Sequence, residues 1–581
     1  MGADAVQEQL AASLIGAAVG DAALAELRSE CAWLSLPGGS ALFCEGEEGD
    51  ALYIVIAGAL AVTVRTEDGR ESLVAQVRPG EVVGEMALIS HETRSATITA
   101  LRDSELLRLD KDGFERLLER VPRAMMPLVA QLAQRLRQTI HHKLPTPIPR
   151  TVAILPMSRA VPGAAFAREL ATAIGERGRR VELVDRAAEA QATEWFTALE
   201  TARDLVLYLT DPEVSPWSRL CLRQADRILL LAHAGEPAEP ALLQMLSALG
   251  AVKRPMDLVV LDEEAAWREA QPIGWDDRLA VDLICRLRRG HHGDLARLAR
   301  LLTGRAIGLV LSGGGARGFA HIGVIRALRQ MQVPLDLLGG CSMGAIIAAG
   351  VAAEWDDREL AANMRKAFVA SNPVNDYALP LLALVRGGKV ASRLVEHFGE
   401  VAIEDLRRPY FCVSSDLRSG ELVVHRRGKL WRALRASVAI PGLLPPVIEG
   451  DAVLADGGVM NNLPVDVMRG LKRGPVLGVD VASDRALGAL ATGRGGRGSL
   501  WALLRSARRV PPIVDILVRA GTVSSDAQSR MQRQHLELLF EPPLEKIDIL
   551  DWHAFDRAID IGYRHAMTVL EGPGAAFLKQ A

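Results

Sequence analysis

Two apolar runs in this chain break abruptly at glycine and resume with helical spacing, and together they constrain the fold more than any other feature. The first is AIGLVLSGGGARGFAHIGVIRAL (306–328) and the second is LDLLGGCSMGAIIAAGVAA (335–353). A continuous apolar run marks a strand covered on both faces, and a strand that turns directly into a helix is a piece of an α/β fold.

The glycines at these breaks suggest a chemistry. Gly313, Gly314 and Gly315 permit a tight turn with amides aimed outward at a helix start, where N–H groups and the helix dipole stabilise negative charge. An oxyanion on an attacked ester carbonyl is one candidate for that charge. In the second run Gly340-Cys341-Ser342-Met343-Gly344 fits G-x-S-x-G between strand and helix, the setting that motif requires. The flanking glycines relieve clashes in a sharp turn, so the Ser342 hydroxyl projects at the helix N-terminus. A third segment, DAVLADGGVMNNLPVDVM (451–468), puts Asp456 at the end of a short apolar strand. A carboxylate there reaches a serine on a neighbouring strand. In solution it would be a weak base, with a pKa of about 3.9. Partial burial raises that value and makes a better proton acceptor.

Competing readings are weaker. GGGARG resembles a dinucleotide loop, but no acid closes a neighbouring strand about 20 residues on, as that site needs. His535, His553 and His565 follow Asp456, so a Ser–Asp–His order is formally available. None sits in a glycine-flanked loop, and they read as helix or surface histidines. His321 is expected to pack or cap near the glycine loop, and Arg317 to hold that loop through backbone contacts.

Taken together these segments resemble the patatin-like phospholipases. GGGARG matches that family's oxyanion loop, GCSMG its nucleophile elbow, DGG its aspartate, and SVAIPGLLPPV (437–447) its proline-bearing stretch. The resemblance implies a Ser342–Asp456 dyad that cleaves acyl esters of phospholipids or lysophospholipids, with no metal and no cofactor for catalysis. HHGDLARLARLLTGRAIGLVLSGGGARGFAHIGV (291–324) and VPPIVDILVRAGTVSS (510–525) are similar to the bacterial relatives of neuropathy target esterase.

Upstream, residues 25–140 read as short strands between glycine turns, including Gly46, Gly49 and Gly58, followed by a helix from Phe114 to Ile140. Within PGEVVGEMALISHETRSATITALRDSELLRL (79–109), Gly84 opens a short helix whose amides would face a phosphate. Arg94 offers a bidentate cation, Glu85 an acceptor for a ribose hydroxyl and Ser95 a further hydroxyl. This run resembles the phosphate cassette of cyclic-nucleotide-binding domains, which implies cAMP or cGMP as a regulatory ligand. A transcription factor shares that β-roll but follows it with a basic recognition helix. Here LPTPIPR (144–150) and an α/β pattern follow instead.

The expected architecture is therefore multidomain α/β. A helical segment (1–24) precedes the cyclic-nucleotide-binding β-roll (25–140). A middle parallel α/β domain of illegible role (150–295) contains TVAILP, RVELV, DLVLYLT, RILLLA and MDLVVL. The patatin-like hydrolase domain (305–478) follows, then a helical extension (479–581) carrying a flexible insertion, ALATGRGGRGS (489–499). The stretch CRLRRGHHGDLARLARLLTGR (285–305) reads as a basic helix with a solvated charged face.

A net charge of −3 gives no bias toward polyanions, so nucleic acid is not an expected partner. Six cysteines without a CxxC pair suit a reducing compartment and no zinc site. The expectation is a cytoplasmic enzyme, peripheral at the inner membrane surface, with self-association left open. The alternative is a cyclic-nucleotide-sensing scaffold whose patatin domain binds lipid without turnover.

Overall fold

A computed structural model describes residues 11, 13, 27–65, 71–90, 92–120, 148–248, 254–262, 281–372, 375–377, 383–482, 525 and 527–578. The chain divides into two compact units, Met1–Val259 with Trp275–Leu283, and Val260–Gly274 with Ile284–Ala581.

The first unit opens with a β-roll of eight strands. These are β1 (Cys31–Leu36), β2 (Ala41–Phe43), β3 (Ala51–Ala57), β4 (Leu60–Arg65), β5 (Glu71–Val77), β6 (Val82–Val83), β7 (Thr97–Ala100) and β8 (Ser104–Asp110). They form two antiparallel sheets, ordered β1-β8-β3-β6 and β2-β7-β4-β5. Strand β3, ALYIVIA, is buried at every position because both of its faces are covered. Leu52, Ile54 and Ile56 pack with Phe114 and Leu117 of the helix Lys111–Arg120, whereas Ala51, Tyr53 and Val55 pack with Leu60, Ile98 and Leu106. Gly58 closes the β3–β4 turn at φ +94°, and a Cβ there would lie 2.2 Å from Ser104 Oγ. Only glycine fits both demands. The rest of the expected helix to Ile140 and most of the linker lie outside the described residues.

After the linker the period changes, as the apolar runs require. Strands β9 (Thr151–Pro156), β10 (Val181–Val184), β11 (Leu205–Leu209) and β12 (Arg227–His233) pair in parallel in the order β10-β11-β9-β12. Helices Gly163–Gly175, Thr193–Ala202, Pro216–Gln224 and Pro240–Ser247 alternate with them. Two further strands follow, β13 (Met256–Asp262) and β14 (Leu283–Arg288).

Strand β14 corrects the reading of 285–305 as one basic helix. Only His292–Leu302 is helical, and its arginines are not a solvated face. In the second unit Arg286 is fully buried and forks onto Asp262 with two bonds of 2.7 Å, while its third nitrogen meets Asp405 at 2.6 Å. Arg407 also reaches Asp262 at 3.0 Å, and Arg300 pairs with Asp336 at 2.6 Å. A buried arginine with fork-matched carboxylates sits in a strand as comfortably as an apolar residue. Nothing in the local sequence reveals the partners.

The second unit is built on an eight-stranded mixed sheet. Its strands are β15 (Gly308–Leu311), β16 (Leu337–Cys341), β17 (Tyr410–Asp416), β18 (Leu422–His425), β19 (Val447–Glu449), β20 (Ala452–Asp456), β21 (Val476–Val479) and β22 (Leu538–Phe540). The order is β19-β20-β17-β16-β15-β21-β22, with β18 pairing β17. Residues 527–578, expected as a helical extension, supply β22 and the helix Phe555–Glu571. That helix meets Ala320–Gln330 so closely that a Cβ on Gly323 would lie 2.0 Å from Ile559 O, and one on Gly562 2.1 Å from Ala320 O. The glycine-rich insertion at 489–499 lies outside the described residues. Among the described residues, no helix is long and apolar enough to cross a membrane.

Candidate active site

Strand β16 delivers Cys341, and the next residue begins the helix Ser342–Ala352 without an intervening loop. Ser342 takes φ +52°, a left-handed conformation that costs a serine about 1–3 kcal/mol. The surroundings hold it there. Its N–H donates to Ser437 Oγ at 3.0 Å, and a Cβ on Gly344 would lie 2.4 Å from Leu311 O and 2.5 Å from Ser312 O. Gly340 is similarly hemmed by the backbone of Gly344 and Ala345. The glycines of G-x-S-x-G thus let the elbow pack directly against the end of β15.

Beyond Leu311 the glycine loop passes over the serine. A Cβ on Gly313 would come within 3.0 Å of Ser342 Cβ and 2.6 Å of Asn462 Oδ1. Gly313 N–H donates to Asn462 O at 3.3 Å, and Asn462 Nδ2 returns a bond of 3.2 Å to Gly313 O. The amides of Gly314 and Gly315 donate to no backbone carbonyl among the described residues. Gly315 has φ +56°, and a Cβ there would lie 2.2 Å from Ile549 O. The loop is pinned from outside by Ala316 N–H on Ile549 O at 2.8 Å and Arg317 Nε on Ile547 O at 2.6 Å. Arg317 therefore holds the loop by backbone contacts, as expected.

Asp456 ends β20, two strands away. Cys341 is in register with Val413 of β17, and Ser414 of β17 with Asp456. With adjacent strands about 4.8 Å apart, the residues that end β16 and β20 flank the same level of β17. The Cys341 thiol bridges much of that gap, donating to Asp456 Oδ1 at 3.5 Å. Gly458 N–H donates to the same oxygen at 2.7 Å, and Asp456 N–H is fixed on Ala439 O at 2.9 Å.

Ser342, Asp456, Gly313, Gly314 and Gly315 all line one cleft. Its cavity is about 100 Å³, widening to about 1140 Å³ with the open mouth included. The remaining walls are mostly apolar, among them Ile346, Phe368, Leu394, Phe398, Leu444 and Trp552. Arg393 and His397 also line it. His535, His553 and His565 do not, and His565 Nε2 instead accepts from Glu541 N–H at 3.0 Å. His321 packs beneath the loop, fully buried, with Nε2 bonded to Ser312 O at 2.9 Å. Burial pulls its pKa down to about 4, so it is neutral near pH 7. No cluster of His, Cys, Asp or Glu able to hold a metal occurs among the described residues. The sequence reading missed Ser437, Asn462 and the Cys341–Asp456 contact. The first two stand inside the quoted SVAIPG and DGGVMNN segments, but their partners come from distant strands.

In the first unit, Gly84 precedes the short helix Glu85–Ser90 at φ +84°. Arg94 is buried beside it, with Nη1 on Gly84 O at 3.0 Å and Nη2 on Ala51 O at 2.8 Å. Its guanidinium lies 4.1 Å from the Phe43 ring centre. Glu85 is buried too, whereas Ser95 is exposed with its hydroxyl 3.8 Å from Met86 Sδ. The structure thus brings Gly84, Glu85 and Arg94 together and leaves Ser95 at the rim.

The sequence matches the patatin-like phospholipase family over residues 309–469, the cyclic nucleotide-binding domain over 33–121, and the neuropathy target esterase family P-loop like domain over 149–277. An uncharacterized NTE family protein of Mycobacterium tuberculosis is 31% identical, the alignment covering 92% of this chain and 91% of that protein. The chain belongs to the neuropathy target esterase family. Patatin-like phospholipase domain-containing protein 6 of Homo sapiens is 31% identical over 93% of this chain, and protein 7 of Mus musculus 30% over 93%. The chain spans about half the length of these two relatives, 44% and 45%. Membership accounts for the middle sheet, whose role the sequence did not reveal, as the P-loop like domain of neuropathy target esterase relatives. It also supports a lipid hydrolase with a cyclic-nucleotide-binding domain.

Proposed function

We propose that this chain is a serine hydrolase of (lyso)phospholipid acyl esters working through a Ser342–Asp456 dyad, under the influence of a cyclic nucleotide held by the β-roll. The observation that carries the reading is the shared cleft, in which the hydroxyl, the carboxylate and the glycine loop meet an otherwise apolar wall suited to an acyl chain. Ser342 Oγ attacks the ester carbonyl while its proton passes to Asp456. Backbone amides of the Gly313–Gly315 loop receive the developing oxyanion. Collapse expels the alcohol, which takes the proton, and leaves an acyl-enzyme that water attacks with Asp456 again as base. The substrate would be taken from a membrane surface on the cytoplasmic side.

The test is direct. Ser342→Ala and Asp456→Asn should each abolish hydrolysis of lysophospholipid and phospholipid vesicles while the protein stays folded, and a fluorophosphonate probe should label the parent protein and not Ser342→Ala. Retained turnover in either variant ends the dyad reading. Absent labelling of the parent protein would favour the non-catalytic scaffold instead.

A further inference from the structure

The first unit contains a second polar cavity, unrelated to the Arg94 cradle. It has a volume of about 330 Å³ and lies where the β-roll meets the parallel sheet, lined by Arg78, Arg102, Arg150, Glu200 and Asp226 among others. Arg150 immediately precedes β9 and Asp226 precedes β12, so the cavity sits at the amino ends of these strands. Ligands of open α/β sheets ordinarily bind at the opposite, carboxyl edge.

Its charges are unevenly satisfied. Both carboxylates already have partners. Glu200 binds Arg102 at 2.5 Å and accepts the Tyr208 hydroxyl at 3.0 Å, while Asp226 Oδ2 accepts Arg150 N–H at 2.8 Å and Thr151 N–H at 3.2 Å. Two of the three cations are left over, and the third is incompletely bonded. Among the described residues, the guanidinium groups of Arg78 and Arg150 make no hydrogen bond or ion pair. Arg102, 6% exposed, has a buried Nε with no partner although its Nη2 donates to Gly58 O at 3.1 Å. Burial holds the Arg78 guanidinium below its ordinary pKa, with Arg150 and Arg102 acting in the same direction and the Asp226 and Glu81 carboxylates opposing it.

We infer that this cavity is a binding site for a small phosphate-bearing anion, gripped by the forked donors of Arg78, Arg102 and Arg150. Guanidinium groups match phosphate oxygens in pairs, and three on one small cavity exceed the two carboxylates they face. The site bridges two folds within the unit, since Arg78 and Arg102 belong to the β-roll and Arg150 to the sheet. It is also distinct from the cyclic-nucleotide cradle. Ala51, which holds Arg94, starts β3, and Gly58, which lines this cavity, follows its end, so the strand keeps them roughly 20 Å apart.

Calorimetric titration of the full chain with inorganic phosphate, pyrophosphate and cyclic AMP tests the inference. Phosphate or pyrophosphate should bind the parent protein and Arg94→Ala alike, and binding should weaken about tenfold or more in Arg78→Gln/Arg150→Gln. Among the described residues those two side chains have no hydrogen bond or ion pair to lose, so the double variant should melt close to the parent without ligand. If it does not, Arg78→Lys, which keeps the charge and loses the fork, should still weaken pyrophosphate binding. Binding of cyclic AMP alone, binding lost in Arg94→Ala but kept in the double variant, or no binding of phosphate or pyrophosphate at millimolar concentration would overturn it.

Discussion

The thiol of Cys341 and the carboxylate of Asp456 are in contact at 3.5 Å, although 115 positions separate them in the chain. The residue just before the elbow serine therefore touches the group proposed to activate that serine. Cys341 is fully buried. It is a positioning residue, and Cys341→Ala should lower kcat roughly tenfold with little change in KM, whereas Cys341→Ser, which keeps a donor, should recover most of the rate. Steady-state kinetics on one lysophospholipid separates these outcomes. Equal rates in all three proteins would show the contact to be incidental.

Gly315 cannot carry a side chain. Its φ of +56° is strained for alanine, and the added carbon would collide with Ile549 O. Gly315→Ala should push the loop away from Ser342 and reduce hydrolysis about a hundredfold, the loss typical of a missing oxyanion donor. Circular dichroism should report an intact fold, because the clash is confined to one loop.

His321 makes the second unit sensitive to acid. Its folded pKa of about 4 lies below the ordinary 6.5, so the unfolded chain takes up a proton that the folded chain refuses. Stability is unaffected above pH 6.5, falls as pH drops through the window, and has lost about 3 kcal/mol by pH 4. Urea unfolding of the parent protein and of His321→Gln across this range should converge as pH falls. Parallel curves would show that another group governs the acid response.

The Arg286 fork predicts a large loss of stability on truncation. Arg286→Ala removes three charge-assisted bonds from the buried carboxylates of Asp262 and Asp405, at a cost of about 3–5 kcal/mol. A Met replacement combined with Asp262→Leu, Asp405→Leu and Arg407→Met should recover much of that loss, because Arg407 also pairs with Asp262 and the buried charges must disappear together. The urea midpoint of the second unit gives the comparison.

Arg94 holds Gly84 O and Ala51 O and stacks on Phe43, so it supports the cassette as well as presenting a charge. Arg94→Lys keeps the charge but cannot make both bonds. It should weaken cyclic AMP binding at least about tenfold by calorimetry, given that Lys is a poor substitute at forked sites.

The sequence was informative where the chemistry demands a local pattern. Strand–glycine–helix junctions at Gly313 and Ser342 can be read from consecutive residues, and so could the buried runs of β9, β11 and β12. Partnerships between distant strands could not. Ser437 on the amide of Ser342, Asn462 on the glycine loop and Asp405 on Arg286 are each fixed by tertiary packing, and no local spacing encodes it. The same reason hid β14, whose arginine reads as surface until its carboxylates are found. The convergence of Arg78, Arg102 and Arg150 was equally invisible, because they come from two differently built folds.

The support of the glycine loop by Ile547 and Ile549 also bears on timing. Arg317 and Ile547 are 230 positions apart. At about 5–20 residues per second, a ribosome needs on the order of ten to fifty seconds to travel from one to the other. During that interval the nascent polypeptide already carries its nucleophile but lacks the brace that sets the loop above it. Newly made chains would stay inert toward nearby lipid until translation has passed Ile549.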